Sequence, residues 1–142
     1  MKEKFRDAYM KVAETFAELS SARRLHVGAI IVKDDRIISI GYNGMPSGWD
    51  NNCEIEIKQP LDRIDLVTKP EVLHAETNAI AKLAKSNESG NQATMFITHS
   101  PCLECSKLIY QSGINSVYYR NHYRSDHGIH FLEKAGVKVE KI

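Results

Sequence analysis

The sequence lacks any strong excess of charge and any long hydrophobic run. Its 19 Lys and Arg residues nearly balance its 18 Asp and Glu residues, which gives a formal net charge of +1. Proteins that hold long nucleic acids usually carry a strong basic excess, so this balance favours a small substrate over a polymer. No apolar stretch approaches the roughly 18 residues that suggest a membrane span. We therefore expect neither a membrane nor a nucleic acid as partner.

Cysteines are also few, and the first residues do not resemble a secretory signal. Residues 1–7 mix charges of both signs and contain no apolar stretch, whereas a signal peptide has one, followed by a cleavage site. We therefore expect a cytoplasmic protein with reduced cysteines. The chain has three cysteines, which cannot all pair, and two of them form Cys102-x-x-Cys105. In a reducing compartment, this spacing indicates metal binding or redox chemistry.

No repeat, low-complexity tract or linker divides the chain, so we predict one domain over residues 1–142. Hydrophobic periodicity predicts helices over 2–19, 74–84, 102–111 and about 125–135, and strands over 27–32, 37–40, 94–98, 117–119 and 137–139. Asp34-Asp35 joins the first two strands as a hairpin. Residues 42–73 show no clear period and are interpreted as a long functional or mobile connection. Since later strands alternate with helices, the order predicts an α/β fold with parallel portions.

Two motifs carry the chemistry, His74-x-Glu76 and Pro101-Cys102-x-x-Cys105. Together they match the H-x-E…P-C-x-x-C signature of zinc-dependent deaminases. Two cysteines three positions apart in the first turn of a helix project from one face, and His74 opens another helix. Three protein ligands leave one coordination position for water, as in catalytic rather than structural zinc sites. The sequence therefore predicts one catalytic Zn²⁺ per chain, held by His74, Cys102 and Cys105.

Glu76 is the predicted catalytic residue. Zinc lowers the pKa of a bound water to about 7, but two thiolates donate strongly to the metal and blunt this effect. Glu76 would take a proton from the water, deliver it to a ring nitrogen and later protonate the leaving amine. Attack at C4 of a cytosine ring would then expel ammonia. Alone, the cysteine pair also fits a structural zinc knuckle or a redox pair, and His74-x-Glu76 alone is uninformative; their conjunction favours a deaminase.

Beyond the bare signature, the sequence resembles the deoxycytidylate (dCMP) deaminase family of the cytidine deaminase superfamily nearly end to end. Its most telling segments are 41–46, Gly-Tyr-Asn-Gly-Met-Pro, and the extended zinc motifs 74–80 and 101–109. The resemblance implies a cytidine-deaminase-like three-layer fold, in which helices flank a mixed five-stranded sheet. It also implies hydrolysis of dCMP to dUMP and ammonia, a reaction that supplies dUMP for thymidylate synthesis.

The same resemblance implies regulation and a set of binding residues. Family members are commonly homohexamers that dCTP activates and dTTP inhibits, with Mg²⁺ accompanying the effector. The effector site would include Tyr42, Asn43 and Gly44, and Asn43 would also contact the substrate sugar. The backbone of Ala75 and Ser100 would read the edge of the pyrimidine.

A monophosphate substrate needs a cation near its phosphate, and arginine forms a bidentate fork on phosphate. Tyr123 and Arg124 follow the fourth strand, where the family places substrate contacts, so we expect both to bind substrate. Arg120 and His122 are nearby alternatives. All of these residues also fit a basic surface loop that contacts only solvent. Arg24 is a weaker candidate, for the phosphates of the effector.

The remaining sequence features support weaker inferences about function. Cys53 is a lone cysteine, which is usually a small buried side chain, so we predict no second, structural zinc. Trp49 is interpreted as a loop-packing or subunit-contact residue rather than a nucleotide stacker. Two alternative functions stay open: deamination of another cytosine or adenine substrate, in a nucleoside or a transfer RNA, and an inactive nucleotide-sensing module. The presence of Glu76 and all three ligands argues against the second.

Overall fold

The computed structural model describes all 142 residues, in four helices and seven strands. No helix combines the length and the apolar character that crossing a membrane requires. The elements, in chain order, are α1 (Glu3–Ala17), β1 (Gly28–Lys33), β2 (Arg36–Tyr42), β3 (Glu54–Lys58), β4 (Ile64–Thr68), α2 (Ala75–Ala84), β5 (Thr94–His99), α3 (Leu103–Gln111), β6 (Ser116–Asn121), α4 (His127–Lys134) and β7 (Lys138–Lys141).

The main sheet has five strands in the order β2-β1-β5-β6-β7. Strand β1 pairs antiparallel with β2 and with β5, whereas β5, β6 and β7 run parallel to one another. Parallel neighbours need crossover connections, and α3 and α4 supply them. The predicted α/β fold, a mixed five-stranded sheet flanked by helices, is confirmed.

Alternation along the central strands divides the core into two layers. In β1, Ile30 and Val32 pack with Met10 and Ala13 of α1, while Ile31 faces the opposite side. That opposite side is the larger core, which includes residues of α2, α3 and α4 such as Ala79, Ile109 and Leu132. Because both faces of β1 are covered, the strand is a continuous apolar run rather than an alternating one.

The predicted hairpin turn is confirmed by backbone angles. Asp34 and Asp35 have φ values of 50° and 58°, which a two-residue hairpin turn with two positive φ angles requires. The hairpin joins β1 to β2 as expected. Gly113 and Gly136, at φ 89° and 88°, follow the ends of α3 and α4, where a left-handed residue commonly terminates a helix. Helix α4 begins at His127, two residues later than predicted.

The interpretation of residues 42–73 as one long connection is wrong. They contain a second hairpin, in which β3 and β4 pair antiparallel from Glu54↔Thr68 to Lys58↔Ile64. The hairpin forms a separate two-stranded sheet on the surface. Its isoleucines, Ile55 and Ile57, are 50% and 43% exposed, so the hairpin adds little to the core.

Gly41 lets helix α2 lie against the main sheet. A Cβ atom added at Gly41 would lie 2.3 Å from the carbonyl oxygen of Ala75 and 2.6 Å from the nitrogen of Ala79. The hydroxyl of Ser39 in the same strand donates to the carbonyl oxygen of Ala79 at 2.6 Å. A residue without a side chain is therefore required at position 41, and this close packing fixes the start of α2, where the first chemical motif lies.

Candidate active site

The two sequence motifs meet at the N-termini of α2 and α3. His74 precedes α2 and Cys102 precedes α3, each in an extended conformation. The sulfur of Cys102 accepts a hydrogen bond from the backbone N–H of Cys105, at 3.4 Å. Helix N-termini carry partial positive charge from unpaired N–H groups, which stabilises thiolates and any negative charge that develops in a ligand.

The side chains of His74, Cys102 and Cys105 form a compact cluster. Nδ1 of His74 lies 3.2 Å from Sγ of Cys105 and 3.7 Å from Sγ of Cys102, and the three ligand atoms lie within 4.8 Å of one another. Tetrahedral zinc, with bonds of about 2.0 to 2.3 Å, separates its nitrogen and sulfur ligands by roughly 3.5 Å. The cluster therefore fits a zinc ion with three protein ligands, and the structure brings together the predicted set.

The two thiols share their protons unequally. A hydrogen bond from Cys105 lowers the pKa of Cys102, with a further contribution from His74. The pKa of Cys105 is raised, because that thiol donates to Cys102 and is buried. One thiolate is thus already favoured in the cluster, and a bound dication would displace the second proton, since cysteine binds metals as thiolate.

Glu76 is a buried acid beside this cluster. Its side chain lies in the first turn of α2 and the residue is 4% exposed. Burial raises the pKa of Glu76 to about 7, because the interior disfavours the charged carboxylate. A nearby dication would favour the ionised form. A carboxyl group whose pKa lies close to the working pH can both accept and return a proton.

A pocket opens over the cluster. It encloses about 680 Å³, including space open to solvent. Of the predicted substrate residues, Asn43, Ala75, Ser100 and Tyr123 line it. The lining also includes the following residues outside that predicted set: Ala22, Arg24, Leu25, Val27, Cys53, Glu54, Thr68, Val72 and His99.

The predicted phosphate cation, Arg124, lies outside this lining. Its guanidinium sits 5.0 Å from the ring centre of Tyr123, which does line the pocket. The alternatives have other partners, since Arg120 pairs with Glu14 at 3.5 Å and His122 pairs with Asp126. The arginine in the lining is Arg24, whose Nη1 donates to the hydroxyl of Thr68 at 2.8 Å.

The side chain of Asn43 stabilises the wall of the pocket through two hydrogen bonds. Its side-chain oxygen accepts from the N–H of Val27, and its nitrogen donates to the carbonyl oxygen of Leu25, both at 2.8 Å. Asn43 also borders a second cleft of about 1130 Å³, which contains Tyr42, Gly44 and Lys82. The three residues predicted for an effector therefore lie together beside a cleft, and one of them belongs to both cavities.

Sequence reasoning missed Glu54, a charged residue in the lining of the first pocket. The alternation Glu54-Ile55-Glu56-Ile57 is a strand signal, but it would place the isoleucines inside and the acids outside. In the structure Glu54 is 2% exposed and Ile55 is 50% exposed. Only the tertiary contacts of the hairpin identify Glu54 as part of the pocket.

Comparison with known proteins gives a consistent result. Residues 3–121 match the family model described as the cytidine and deoxycytidylate deaminase zinc-binding region. Deoxycytidylate deaminase of Enterobacteria phage T4 is 32% identical over 92% of this chain and 86% of its own length. ComE operon protein 2 of Bacillus subtilis is 37% identical over 94% of this chain and 69% of its own length.

A solved structure is similar over the whole chain. The crystal structure of dCMP deaminase from the cyanophage S-TIM5, in complex with dCMP and dUMP, superposes with a TM-score of 0.92. It is 50% identical to this chain, and the match covers 100% of this chain and 99% of that one.

Proposed function

The chain belongs to the cytidine and deoxycytidylate deaminase family, and we propose that it hydrolyses dCMP to dUMP and ammonia. The observation that carries the proposal is the cluster of His74, Cys102 and Cys105 beside buried Glu76, at the wall of a pocket. The similarity to dCMP deaminases of two phages supports the choice of substrate. Synthesis of dUMP for thymidylate is implied by the same resemblance; it and the expected cytoplasmic location stay predictions.

The backbone around the cluster offers groups that suit a pyrimidine. Ala75 is the first residue of α2, and an N–H at that position has no acceptor inside its helix. The N–H of Ser100 donates to the carbonyl oxygen of Asn121 at 2.9 Å, so we propose that its carbonyl is the backbone group that contacts the pyrimidine. One donor and one acceptor are then available for the oxygen and the amino group of cytosine.

Glu76 is proposed to move the protons of the reaction. Zinc, when bound by His74, Cys102 and Cys105, supplies Lewis-acid activation of the attacking water. Glu76 takes a proton from that water and passes it to N3 of the ring, while the water oxygen bonds to C4. It then carries the second water proton to the amino group, the C4–N bond breaks, and ammonia and the uracil product leave. Because Glu76 is buried, bulk water does not compete for these protons.

We propose that arginine side chains bind the phosphate of the substrate. Arg24 lines the pocket and has no carboxylate within salt-bridge distance, while Arg124 adjoins the pocket through Tyr123. The hydrogen bond from Arg24 to Thr68 holds its guanidinium at the pocket wall. Both arginines can present a charge-assisted fork to a phosphate. Asn43 keeps its proposed contact with the sugar, because its amide has one hydrogen and one lone pair free beyond the bonds to Leu25 and Val27.

Substrate choice is tested by ammonia release from zinc-loaded protein given dCMP, cytidine, deoxycytidine or dCTP. We expect turnover mainly of dCMP, with kcat/KM about 10- to 100-fold above that of deoxycytidine, the gain typical of charge-assisted hydrogen bonds to one phosphate. Equal turnover of the nucleosides would remove the phosphate assignment and favour a nucleoside deaminase. Silence on all four, with zinc bound, would favour a transfer RNA substrate or an inactive sensor.

The second cleft is proposed as the site of dCTP and dTTP, through Tyr42, Asn43 and Gly44. Lys82 is the one cation in its lining, which contains no carboxylate. A single ammonium does not balance a triphosphate, so we propose that Mg²⁺ arrives with the nucleotide, held by the phosphates. Asn43 gives a physical route to the active site, because effector contact would shift the bonds that hold Leu25 and Val27.

Effector binding is tested by substrate curves and melting temperatures with and without saturating dCTP and Mg²⁺. We expect dCTP to raise the apparent affinity for dCMP about 5- to 150-fold, the range of typical allosteric coupling, and dTTP to oppose it. Lys82→Ala should weaken the response, whereas Lys85→Ala, one turn further along and outside the cleft, should retain it. An unchanged curve and an unchanged melting temperature would show that the cleft holds no effector.

A homo-oligomer, a hexamer in the family pattern, is part of the same proposal. The surface hairpin carries Ile55, Ile57 and Val67 at 50%, 43% and 43% exposure. By the strand register, Val67 lies opposite Ile55 on one face of the hairpin. Contact between subunits would cover this apolar face, which a lone chain leaves in water.

A further inference from the structure

Glu54 is a buried acid in the pocket wall that the chemistry of deamination does not use. It is the first residue of β3, and its side chain is 1% exposed. It lines the pocket together with Arg24 and Thr68. Its neighbour on the same face of the strand, Glu56, is 53% exposed, so burial distinguishes Glu54 from the ordinary charges of a surface hairpin.

The two carboxylate oxygens of Glu54 differ in their partners. Oε2 accepts hydrogen bonds from the backbone N–H groups of Arg23 and Arg24, at 2.9 and 3.1 Å. Oε1 is buried and has no hydrogen-bond partner. The nearest cationic nitrogen, Nε of Arg23, is 3.6 Å from Oε1, and the same guanidinium donates through Nη1 to Glu56 at 2.9 Å. A buried carboxylate oxygen without a donor is uncommon and calls for one.

The chemistry of that oxygen limits what it can bind. A carboxylate accepts hydrogen bonds and repels anions, so it suits a neutral donor and not a phosphate. A 2′-deoxynucleoside 5′-monophosphate has a single sugar hydroxyl, at the 3′ position. We propose that Glu54 accepts the hydrogen bond of the substrate's 3′-hydroxyl, through a small rotation of the side chain, and thereby selects a nucleotide with a free 3′ end. This inference rests on the proposed function.

The layout of the pocket agrees with this assignment. His74, Glu76 and Cys102 enter from the starts of α2 and α3, whereas Glu54 and Arg24 belong to the hairpin and to the segment before β1. A cytosine ring at the first wall directs its sugar and phosphate toward the second. There the hydroxyl meets Glu54, while the adjacent guanidinium of Arg24 is the group suited to the phosphate.

The same contact would exclude polymers. In DNA or RNA, the 3′ oxygen of an internal nucleotide is part of a phosphodiester, which has no proton to donate. Its negative charge would face the buried carboxylate of Glu54. We therefore expect dCMP that carries a 3′-phosphate to be a poorer substrate than dCMP that merely lacks the hydroxyl.

The test compares dCMP with 2′,3′-dideoxycytidine 5′-monophosphate, in the wild-type protein and in Glu54→Gln. In the wild type, loss of the hydroxyl should lower kcat/KM about 10- to 100-fold, as for a hydrogen bond to a charged group. Glu54→Gln keeps an acceptor for the two backbone N–H groups, and there the ratio should fall to about 2- to 10-fold, as for a neutral pair. Glu56→Gln removes a charge from the same strand and another partner of Arg23, and should keep the wild-type ratio.

Three results would overturn the inference. The first is a wild-type ratio near one, whatever the variants do. The second is an equal ratio of kcat/KM values for the two nucleotides in the wild type and Glu54→Gln. If Glu54 had a purely structural role, its replacement would lower kcat/KM for both substrates alike. If the wild type turns over neither nucleotide, the proposed function fails separately. Calorimetric binding of the two nucleotides then decides: a preference for the hydroxyl that Glu54→Gln loses supports the site, and equal or absent binding rejects it.

Discussion

Replacing Glu76 by glutamine is expected to reduce deamination of dCMP by at least about 10⁴-fold, the upper range for removal of a general acid and base. The residue is expected to act more than once in each turnover, since it first accepts a proton from water and later delivers one to the leaving amine. Glutamine has nearly the same shape but cannot accept a proton. Ammonia release under saturating dCMP measures the loss.

The substitution should leave the fold and the metal site in place. Glu76 is 4% exposed, and burial already raises its pKa to about 7, so a neutral side chain of equal volume suits the position. Zinc content and melting temperature should therefore match the wild type.

Glu104→Gln is the matched control for Glu76→Gln. Glu104 lies between the two cysteines, is 79% exposed and pairs with Lys107 at 3.0 Å. We expect the turnover of dCMP by Glu104→Gln to stay within about twofold of the wild type, as for ordinary surface changes. Retained turnover in Glu76→Gln would refute the assigned proton path.

Most of the fold could be predicted because its strands and helices follow simple periods. Strand β1 is an uninterrupted apolar run, and the Asp34-Asp35 turn that follows it accepts the positive φ angles of a hairpin. The hairpin of β3 and β4 could not be predicted in the same way. Its apolar residues face solvent and Glu54 faces inward, so its hydrophobic pattern is inverted relative to the core.

The cluster of His74, Cys102 and Cys105 was predictable because a helix converts sequence spacing directly into geometry. Cys102 and Cys105 lie one turn apart, and only the approach of α2 to α3 had to be inferred to add His74. No local spacing rule predicts the opposite wall of the pocket, which Arg24 and Glu54 form. Arg24 and Glu54 are 30 positions apart, and the backbone N–H of Arg24 donates to the side-chain carboxylate of Glu54, a contact that depends on where the hairpin folds back. The residues of the cluster were therefore visible in the sequence, whereas Glu54 in the pocket wall was not.

Loss of a proposed metal ligand is the second change for which we expect a large effect. Cys102→Ala leaves two ligands, His74 and Cys105, where a stable zinc site has at least three from the protein. Zinc content should fall from one ion per chain to a small fraction, and deamination should fall below detection. The melting temperature should also drop, because a ligand bound only by the folded state stabilises it, by about 4 kcal/mol at 1,000 times its dissociation constant.

Cys53→Ala is the matched control for this change. Cys53 is a buried cysteine like the proposed ligand Cys105, but it does not belong to the cluster. Metal analysis should therefore give one zinc per chain in the wild type and in Cys53→Ala. Two zinc ions in the wild type, with one lost in Cys53→Ala, would overturn the prediction that the chain has no second zinc. Full zinc occupancy in Cys102→Ala would instead show that the ligand set is wrong, since Cys105 and His74 alone cannot account for it.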